Sequence, residues 1–380
     1  MAKRVVFLGA GTGGTMAANR LAREMSEEIQ RNELEIILLG DTDQHVYQPG
    51  FLYIALDREI PEKYKRSQQQ LIVPGVQFVV DSVKEIQAQQ RTIITKKGHR
   101  IPYDFLVVAT GSVPNLDSIP GFRQDANSFY TLSEALRLRE KIQSFKGGKV
   151  VMIVGVPHKC PVAPLEFMFM LDDSLRQAGK REDAELVYTY PIGRLHSLVP
   201  VAEWAEKEFE KRNIKGETFF NVESIDPANH TVFTLEGEEV KYDLLIGIPP
   251  HEGAPVIRNS GLGDAEGWLP TDPKTLKLKG NEHIYVLGDA TDLPISKAGS
   301  TAHYQSEVVA RNLIHELRGE PPTTLYNGKV FCFIESGLEE ATHITFDYRT
   351  PPQPAKATTM THMFKLAFNE MYWLSLRGLI

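Results

Sequence analysis

The stretch "RVVFLGAGTGG" (residues 4–14) decides the fold. It reads as a buried strand followed by a turn that fits the pattern G-x-G-x-x-G and opens a helix. Gly9 permits the tight turn, Gly11 lets the backbone approach a pyrophosphate, and Gly14 allows close helix packing. Free amide groups and the helix dipole attract the phosphates. The stretch therefore predicts a dinucleotide-binding unit whose turn consists of Gly9, Ala10, Gly11, Thr12, Gly13 and Gly14.

Strands and helices alternate beyond this turn, which is typical of a parallel, doubly wound α/β fold. Further strands are predicted at 34–40, 76–80, 105–110, 149–154, 184–190, 243–248 and 283–289. Helices are predicted at about 12–30, 131–144, 163–179, 201–213 and 298–318. The unit of strand, turn and helix recurs at Lys149. We expect two Rossmann-like domains, the first formed by 1–112 and 283–325 and the second by 113–282, and a C-terminal region at 326–380.

Composition excludes several classes of function. The 380 residues carry a formal net charge of −7, so no basic surface is available to a nucleic acid. Two cysteines are too few for a zinc knuckle or a disulfide framework, and we expect no metal site. No apolar run approaches the roughly 20 residues that span a bilayer. The first 30 residues do not resemble a signal peptide, so we expect a protein of the cytoplasmic side.

Two later strand ends strengthen the dinucleotide prediction. "YDFLVVATGSVPN" contains Thr110 and Gly111, and "HIYVLGDAT" contains Gly288 and Asp289. Each alone is an ordinary strand followed by a glycine turn. Together with the opening glycines, they resemble the FAD-binding signature of the flavoprotein disulfide-reductase superfamily. The resemblance implies bound FAD, with Asp289 on the ribityl chain and further contacts from Asp41, Pro49, Thr110, Gly111, Gly288, Gly299 and Lys365.

Asp41 matches the ribose position imperfectly, because it follows the second strand one residue late. Capping of the following loop is an equally good interpretation of this carboxylate.

The stretch "GVPHKCPVAP" (155–164) stands where a pyridine nucleotide would need a second glycine turn. Pro157 and Cys160 occupy the positions of the second and third glycines, and proline has no amide hydrogen for a phosphate. We therefore expect NAD(P)H to bind poorly or not at all. Electrons must then reach the flavin from another donor, and Cys160 is the candidate, although each cysteine alone reads as a buried, inert thiol.

Five segments resemble the sulfide:quinone oxidoreductases. They are "KCPVAPLE" (159–166), "IGIPPHEGAPVI" (246–257), "DLPISKAG" (292–299), "VFCFIESG" (330–337) and "MFKLAF" (363–368). The resemblance implies oxidation of hydrogen sulfide to polysulfide through Cys160 and Cys332, with electrons passed by FAD to a membrane quinone. It also implies peripheral membrane association and a homo-oligomer. The domain at 1–112 and 283–325 would then bind FAD, the domain at 113–282 would lack a nicotinamide fingerprint, and the region at 326–380 would associate with quinone and membrane.

The resemblance assigns roles to further residues. Glu166 would move protons, although a first-turn carboxylate also complements a helix dipole. Lys297 would offset charge on the reduced flavin, whereas alone it reads as a solvated lysine. Lys365 would reach a quinone oxygen or the flavin. The quinone ring would lie among aromatic side chains that otherwise read as core: Phe333, Phe364 and Phe368.

The chain also departs from that family. Tyr130 stands where a third cysteine is usual and Glu134 where a histidine is usual, so no thioether to the flavin is expected at that position. His196 lies near the position of a functional histidine of the family.

The tail "MTHMFKLAFNEMYWLSLRGLI" (360–380) carries a broad apolar stripe. Met360, Phe364, Ala367, Met371 and Leu374 lie at helical spacing, and the arc is widened by Trp373, Leu376 and Ile380. The stripe predicts shallow insertion into lipid or a subunit interface, and a core-packing helix fits it nearly as well.

Three alternative functions remain open on the sequence. A flavocytochrome c sulfide dehydrogenase subunit would share the cysteines, and a type-II NADH:quinone dehydrogenase would share the fold. A flavin-bound redox sensor without enzymatic activity would share both the cysteines and the fold.

Overall fold

The computed structural model describes residues 2–379. Its helices lie at α1 Thr12–Glu24, α2 Ser26–Gln30, α3 Phe51–Ala55, α4 Gln68–Leu71, α5 Phe122–Asp125, α6 Leu132–Ser144, α7 Ala163–Gln177, α8 Val199–Arg212, α9 Pro255–Asn259, α10 Gly299–Leu317 and α11 Thr359–Leu376.

The strands fall into two parallel sheets and several small antiparallel ones. Their bounds are β1 Lys3–Leu8, β2 Leu34–Gly40, β3 Gln44–Val46, β4 Lys65–Ser67, β5 Val76–Val80, β6 Val83–Gln87, β7 Thr92–Thr95, β8 Arg100–Pro102, β9 Phe105–Val108, β10 Ser112–Pro114, β11 Gly148–Val154, β12 Ala184–Thr189, β13 Lys215–Glu217, β14 Val222–Asp226, β15 Thr231–Thr234, β16 Glu239–Lys241, β17 Leu244–Ile248, β18 His251–Gly253, β19 Ile284–Val286, β20 Val330–Glu335 and β21 Ala341–Phe346.

The first parallel sheet has the order β19-β9-β1-β2-β5, and the second has the order β13-β12-β11-β17. The predicted α/β fold is therefore confirmed. The predicted helix at 12–30 is divided in two, because Met25 leaves helical geometry (φ −113°, ψ 28°) and its side chain is buried in the core.

Residues 254–278 lie within the segment predicted as the second domain, 113–282, and pack beside the first sheet. Ala254, Ile257, Leu269 and Leu278 share one core with Val6 of β1. The Val286 amide of β19 donates to the Leu276 carbonyl at 2.8 Å. The domain assignment stays a prediction, and this packing favours a boundary near residue 253.

A buried carboxylate joins the second domain to the β20–β21 hairpin. Asp172 of α7 accepts from Arg181 at 2.5 Å and from Arg212 at 2.8 Å. Burial opposes its ionisation, but these arginines and Arg176 outweigh burial and lower the pKa of Asp172. Arg212 also donates to the Ser336 carbonyl just after β20. These contacts of Asp172 and Arg212 therefore set the position of β20, and so of Cys332, relative to α7.

Helix α11 packs one face on the first domain. The Tyr372 hydroxyl lies 2.8 Å from Thr12 Oγ1 in the glycine turn and 2.7 Å from His45 Nε2. Asn19 donates to the Leu376 carbonyl at 2.7 Å. Leu376 is fully buried, so this part of the predicted apolar arc packs against the core, as the core-packing alternative for the tail expects.

The opposite face of α11 is apolar and points outward. Its exposed side chains include Met360, Met363, Phe364, Phe368, Met371 and Leu374. Ile380 lies outside the described residues. Within residues 2–379, none of the helices combines the length and apolar character needed to cross a membrane.

Candidate functional site

The turn between β1 and α1 is packed so closely that side chains are excluded from most of it. A Cβ on Gly14 would lie 1.9 Å from the Gly9 carbonyl oxygen, and one on Gly9 would lie 2.3 Å from that of Ala109. Gly9 also has a φ of +111°. A Cβ on Gly11, in contrast, would meet nothing within 4 Å. Gly11 thus faces open space, which is where a pyrophosphate would approach the turn.

The strand ends beside this turn complete a site that fits FAD. Thr110 places a buried hydroxyl there that has no hydrogen-bond partner among the described residues. Ser112 donates to Asp289 at 3.1 Å, and the Gly288 amide donates to Gln305 at 2.6 Å. Asp41 is exposed at the end of β2. The orphaned hydroxyl and the open glycine turn are the features that a dinucleotide would use.

The remaining predicted cofactor residues have the following places in the fold. Gly111 has a φ of +67°, and a Cβ on Gly13 would lie 2.2 Å from Leu287 Cδ1. Gly299 is the first residue of α10, and Pro49 is exposed between β3 and α3.

Lys297 connects the FAD site to Cys160. Its amine donates to the carbonyls of Asp289 at 2.8 Å and Thr291 at 2.7 Å, and it lies 3.8 Å from the centre of the Trp268 ring. Its own carbonyl accepts from the Cys160 amide at 2.6 Å. Burial lowers the pKa of Lys297 to about 8, although Asp289 opposes that shift. Lys297 is thus a partly desolvated cation beside the FAD site.

The second turn, residues 155–162, is built differently. A Cβ on Gly155 would lie 2.5 Å from Pro250 Cδ, so this glycine serves packing. Cys160 adopts a left-handed conformation with a φ of +50°. Helix α7 begins at Ala163, three residues after the cysteine. The backbone of the turn therefore presents a thiol at the start of a helix.

Cys160 and Cys332 are both free thiols and pack against the same apolar core. Burial raises the pKa of Cys332 to about 12, and the Glu166 carboxylate adds to the shift. The same two causes raise the pKa of Cys160 further. Both thiols are therefore held protonated in this form of the protein.

Tyr130 supports the turn that carries Cys160. Its buried hydroxyl donates to the Lys159 carbonyl at 2.9 Å. Glu134 belongs to the N-terminal cap of α6, where its amide donates to Thr131 Oγ1 at 3.3 Å. Tyr130 and Glu134 thus both have structural contacts.

His196 is fully buried, and its Nδ1 accepts from the Leu198 amide at 3.0 Å. Burial, with a smaller contribution from His158, lowers the pKa of His196 to about 4, so its imidazole is neutral.

A buried acid–base cluster lies between α7, β20 and α11. Lys365 contacts Glu166 through its amine, which also lies 3.8 Å from Glu335 Oε1. The Glu335 amide donates to Glu166 Oε1 at 2.9 Å. Tyr53 donates to Glu335 Oε1 at 2.5 Å, and His362 Nδ1 lies 2.9 Å from Glu335 Oε2. Two carboxylates thus share one ammonium in a water-poor site.

The pKa values in this cluster follow from burial and pairing. Burial raises the pKa of Glu166 even though Lys365 opposes the shift. The two carboxylates outweigh burial at Lys365 and raise its pKa, so the amine stays charged. Burial also opposes ionisation of Glu335, but Lys365, His362 and Tyr53 lower its pKa. Burial therefore favours the neutral form of Glu166, whereas the pairing of Glu335 favours its ionised form.

The predicted quinone residues divide into two groups. Phe333 and Phe368 approach each other, with ring centroids 6.0 Å apart. Phe364 is 58% exposed and belongs to the outward apolar face of α11. Lys365, predicted to act beside these aromatic rings, turns inward to the carboxylates. The two sides of α11 thus carry different chemistry.

Sequence reasoning missed three members of the cluster, which are Tyr53, Glu335 and His362. Glu335 carried a usable signal, because an acid that ends the apolar run "VFCFI" is buried unless something charged pairs with it.

The comparisons with known proteins agree with this geometry. Residues 3–311 match the family described as pyridine nucleotide-disulphide oxidoreductase. The chain belongs to this family. FAD is the cofactor of the pyridine nucleotide-disulphide oxidoreductases, so the predicted cofactor is confirmed.

Individual relatives of this family narrow the resemblance. A mitochondrial sulfide:quinone oxidoreductase of Dictyostelium discoideum is 29% identical over 91% of this chain and 78% of its own length. That of Mus musculus is 25% identical over 98% of this chain and 86% of its own length. The X-ray structure of the Aquifex aeolicus sulfide:quinone oxidoreductase has a TM-score of 0.88 at 23% identity, and the match covers 99% of this chain and 92% of that one. The resemblance predicted from the sequence is confirmed.

Proposed function

We propose that this protein oxidises hydrogen sulfide to polysulfide through Cys160 and Cys332 and passes the electrons by way of FAD to a membrane quinone. One observation carries the proposal: the turn that would hold a pyridine nucleotide instead presents Cys160, which packs in one core with the only other cysteine of the chain. The names of the relatives agree with it.

FAD would be held by the glycine turn at 9–14, by Thr110 and by Asp289. When bound, it supplies a carrier that accepts an electron pair and passes it to the quinone. Lys297 would place a positive charge beside it, held by the Asp289 and Thr291 carbonyls.

The cysteines supply the sulfur chemistry. Burial suppresses their thiolates, so hydrosulfide is the better nucleophile near neutral pH. It would attack a disulfide or longer sulfur bridge between Cys160 and Cys332, forming a persulfide on one cysteine and releasing the other. A second hydrosulfide would attack the persulfide and leave as hydrodisulfide, which returns that cysteine to a thiol. Closing the bridge between the two cysteines again would release one proton and two electrons, which bound FAD would accept. In sum, two hydrosulfides give one hydrodisulfide, one proton and two electrons.

Glu166 is placed to handle the proton. It lies on the first turn of α7 after Cys160, and its carboxylate affects the pKa values of both thiols. It would protonate the released cysteine and receive the proton that sulfide loses.

The acceptor end would lie between β20 and α11, where Phe333 and Phe368 approach each other. Their rings would contact a quinone ring, with Lys365 supplying the polar contact. A pocket of apolar walls with a few polar anchors is what such a ligand requires.

The outward face of α11 would dock on the membrane from which the quinone comes. Exposed apolar side chains form a contiguous patch on this face, and such a patch marks a surface that binds lipid or protein. Phe368 belongs both to this patch and to the proposed acceptor site. We assign this surface to the cytoplasmic side of the membrane. We also propose a homo-oligomer. Because the outward face of α11 is assigned to the membrane, its subunit interface would lie on another surface.

Charged substitutions test the membrane assignment. Met363→Glu and Met371→Glu should move the protein from sedimented liposomes to the supernatant while sulfide still reduces its flavin. Leu235→Glu, an exposed apolar residue on another surface, is the matched control. Unchanged sedimentation of the α11 variants together with a changed oligomer mass would assign this face to a subunit contact.

Steady-state reduction of decylubiquinone by sulfide under anaerobic conditions tests the function itself. We expect turnover with sulfide and production of sulfane sulfur detectable by cyanolysis. A protein that binds FAD fully but consumes no sulfide would refute the enzymatic proposal in favour of a redox sensor.

A further inference from the structure

Three residues of the buried cluster lead inward from the surface: His362, Glu335 and Lys365, the residue proposed to contact the quinone. His362 lies at the surface end, with 13% of its side chain accessible. Its Nδ1 is 2.9 Å from Glu335 Oε2, and the other oxygen of that carboxylate is 3.8 Å from the Lys365 amine. His362 and Lys365 are three residues apart on α11 and so share one face of the helix.

We infer that His362 and Glu335 form a proton relay that supplies Lys365 from water during quinone reduction. The inference rests on the proposed function, because it concerns the acceptor half of that reaction. Reduction of a quinone to its quinol consumes two electrons and two protons, and this relay carries only the protons.

The order of the three groups defines the direction of each step. His362 Nε2 takes a proton from water, and the proton on Nδ1 moves to Glu335 Oε2. Lys365 gives one proton to a quinone oxygen. The carboxyl group of protonated Glu335 then rotates and returns a proton to the amine, which faces Oε1 in the resting protein. Two rounds provide both protons, and the imidazole exchanges protons with water to restore its starting tautomer.

The groups around the relay keep it oriented. Tyr53 donates to Glu335 Oε1 at 2.5 Å, which leaves Oε2 for His362. Glu166 holds Lys365 from the other side and accepts from the Glu335 amide at 2.9 Å. The charged and titratable groups that face Glu335 are thus His362, Tyr53, Lys365 and Glu166.

The relay also separates two surfaces of α11. Met363 and Phe364 follow His362 directly and point outward among the apolar side chains proposed to enter lipid. Lipid on that face would exclude water from the quinone, so protons need a route through the protein. His362, at the edge of that face, is the group that would take protons from water.

The variants His362→Gln and His362→Ala test the relay. Glutamine keeps a hydrogen bond to Glu335 but cannot take up and pass on a proton, so it separates transfer from positioning. We expect anaerobic reduction of the flavin by sulfide to be unchanged in both. Reoxidation by decylubiquinone should be about 100-fold slower, with KM retained. Added imidazole should partly restore the alanine variant.

A measurement on the resting protein provides a readout that does not depend on turnover. Infrared spectra of the resting protein at about pH 7 should contain a carboxylate band that Glu335→Gln removes and His362→Gln shifts, because the lowered pKa of Glu335 keeps this group ionised there. The matched control is His315→Gln, because His315 lies in the last turn of α10, outside the cluster, and pairs with Glu320 at 3.5 Å on an exposed surface. It should change neither the band nor reoxidation.

The outcomes distinguish the relay from the proposed function. Wild-type reoxidation in His362→Gln would overturn the relay while leaving sulfide oxidation in place. Failure of the unmodified protein to reduce decylubiquinone with sulfide would overturn the proposed function instead.

Discussion

The two turns that follow β1 and β11 occupy equivalent places in two similar sheets, yet only the first is built for a phosphate. The first turn needs three residues, since β1 ends at Leu8 and α1 begins at Thr12. The second connects Val154 to Ala163 and contains a left-handed cysteine.

Charge separates the two turns further. The first turn of α1 contains no acidic residue, whereas that of α7 contains Glu166. A helix N-terminus attracts a phosphate, and a buried carboxylate beside it cancels that attraction. The comparison shows how one topology can provide a dinucleotide site in one domain and a thiol with an acid in the other.

The largest expected effect comes from removing the sulfur atoms. Cys160→Ser and Cys332→Ser should each reduce sulfide:quinone activity at least about 1000-fold, because a hydroxyl cannot form the bridge or carry sulfane sulfur. The double variant should be no worse than either single one. Activity assays, flavin absorbance and melting curves on all three variants measure this.

Flavin content should stay normal in these variants, because the first turn is untouched. Stability should change by no more than about 1 kcal/mol, as for a typical substitution. Retention of most activity with bound flavin would make both cysteines ordinary buried thiols and remove the difference between the turns.

The next effect concerns the acid that follows the second turn. Lys365→Met leaves Glu166 and Glu335 buried without their cation, which should lower the free energy of unfolding by about 3–5 kcal/mol near neutral pH. Lys211→Met is the matched control, since it breaks an exposed pair with Glu208 and should leave the melting temperature nearly unchanged.

The loss of stability in Lys365→Met should depend on pH. Burial already raises the pKa of Glu166, and without Lys365 it rises further. A carboxyl group with a raised pKa in the folded state favours folding below its unfolded pKa of about 4.3 and loses that contribution as the pH rises. The variant should therefore be closer to wild type at about pH 5 than at about pH 8. Equal losses of stability at both pH values would show that ionised Glu166 is not the cause of the destabilisation.

A smaller effect compares one glycine from each turn. Gly11→Ala adds a Cβ into open space at a φ of −79°, so the fold should tolerate it while FAD binds about 10- to 100-fold more weakly. Gly155→Ala adds a Cβ that would lie 2.5 Å from Pro250 Cδ, so it should lower the melting temperature and leave FAD affinity unchanged. Fluorescence titration with FAD and melting curves distinguish the two, and an exchange of these outcomes would contradict the comparison.

The sequence predicted the strands better than the site, for a physical reason. β2 and β5 have the predicted bounds because each is an apolar run that turn residues interrupt. The pairing of Glu166 with Lys365 spans 199 residues, and no local pattern encodes such a contact. Helical spacing showed that α11 is apolar, but it could not show that Leu376 and Tyr372 face the core while Phe364 faces outward.

The most direct test of the central claim is stopped-flow mixing of the FAD-loaded protein with sulfide or with NADH under anaerobic conditions. The second turn presents a thiol that can react with sulfide. Its proline, its acid and its greater length make it unsuited to a nicotinamide dinucleotide. Sulfide should bleach the flavin rapidly, and NADH in large excess should do so far more slowly. Fast bleaching by NADH with none by sulfide would contradict the account.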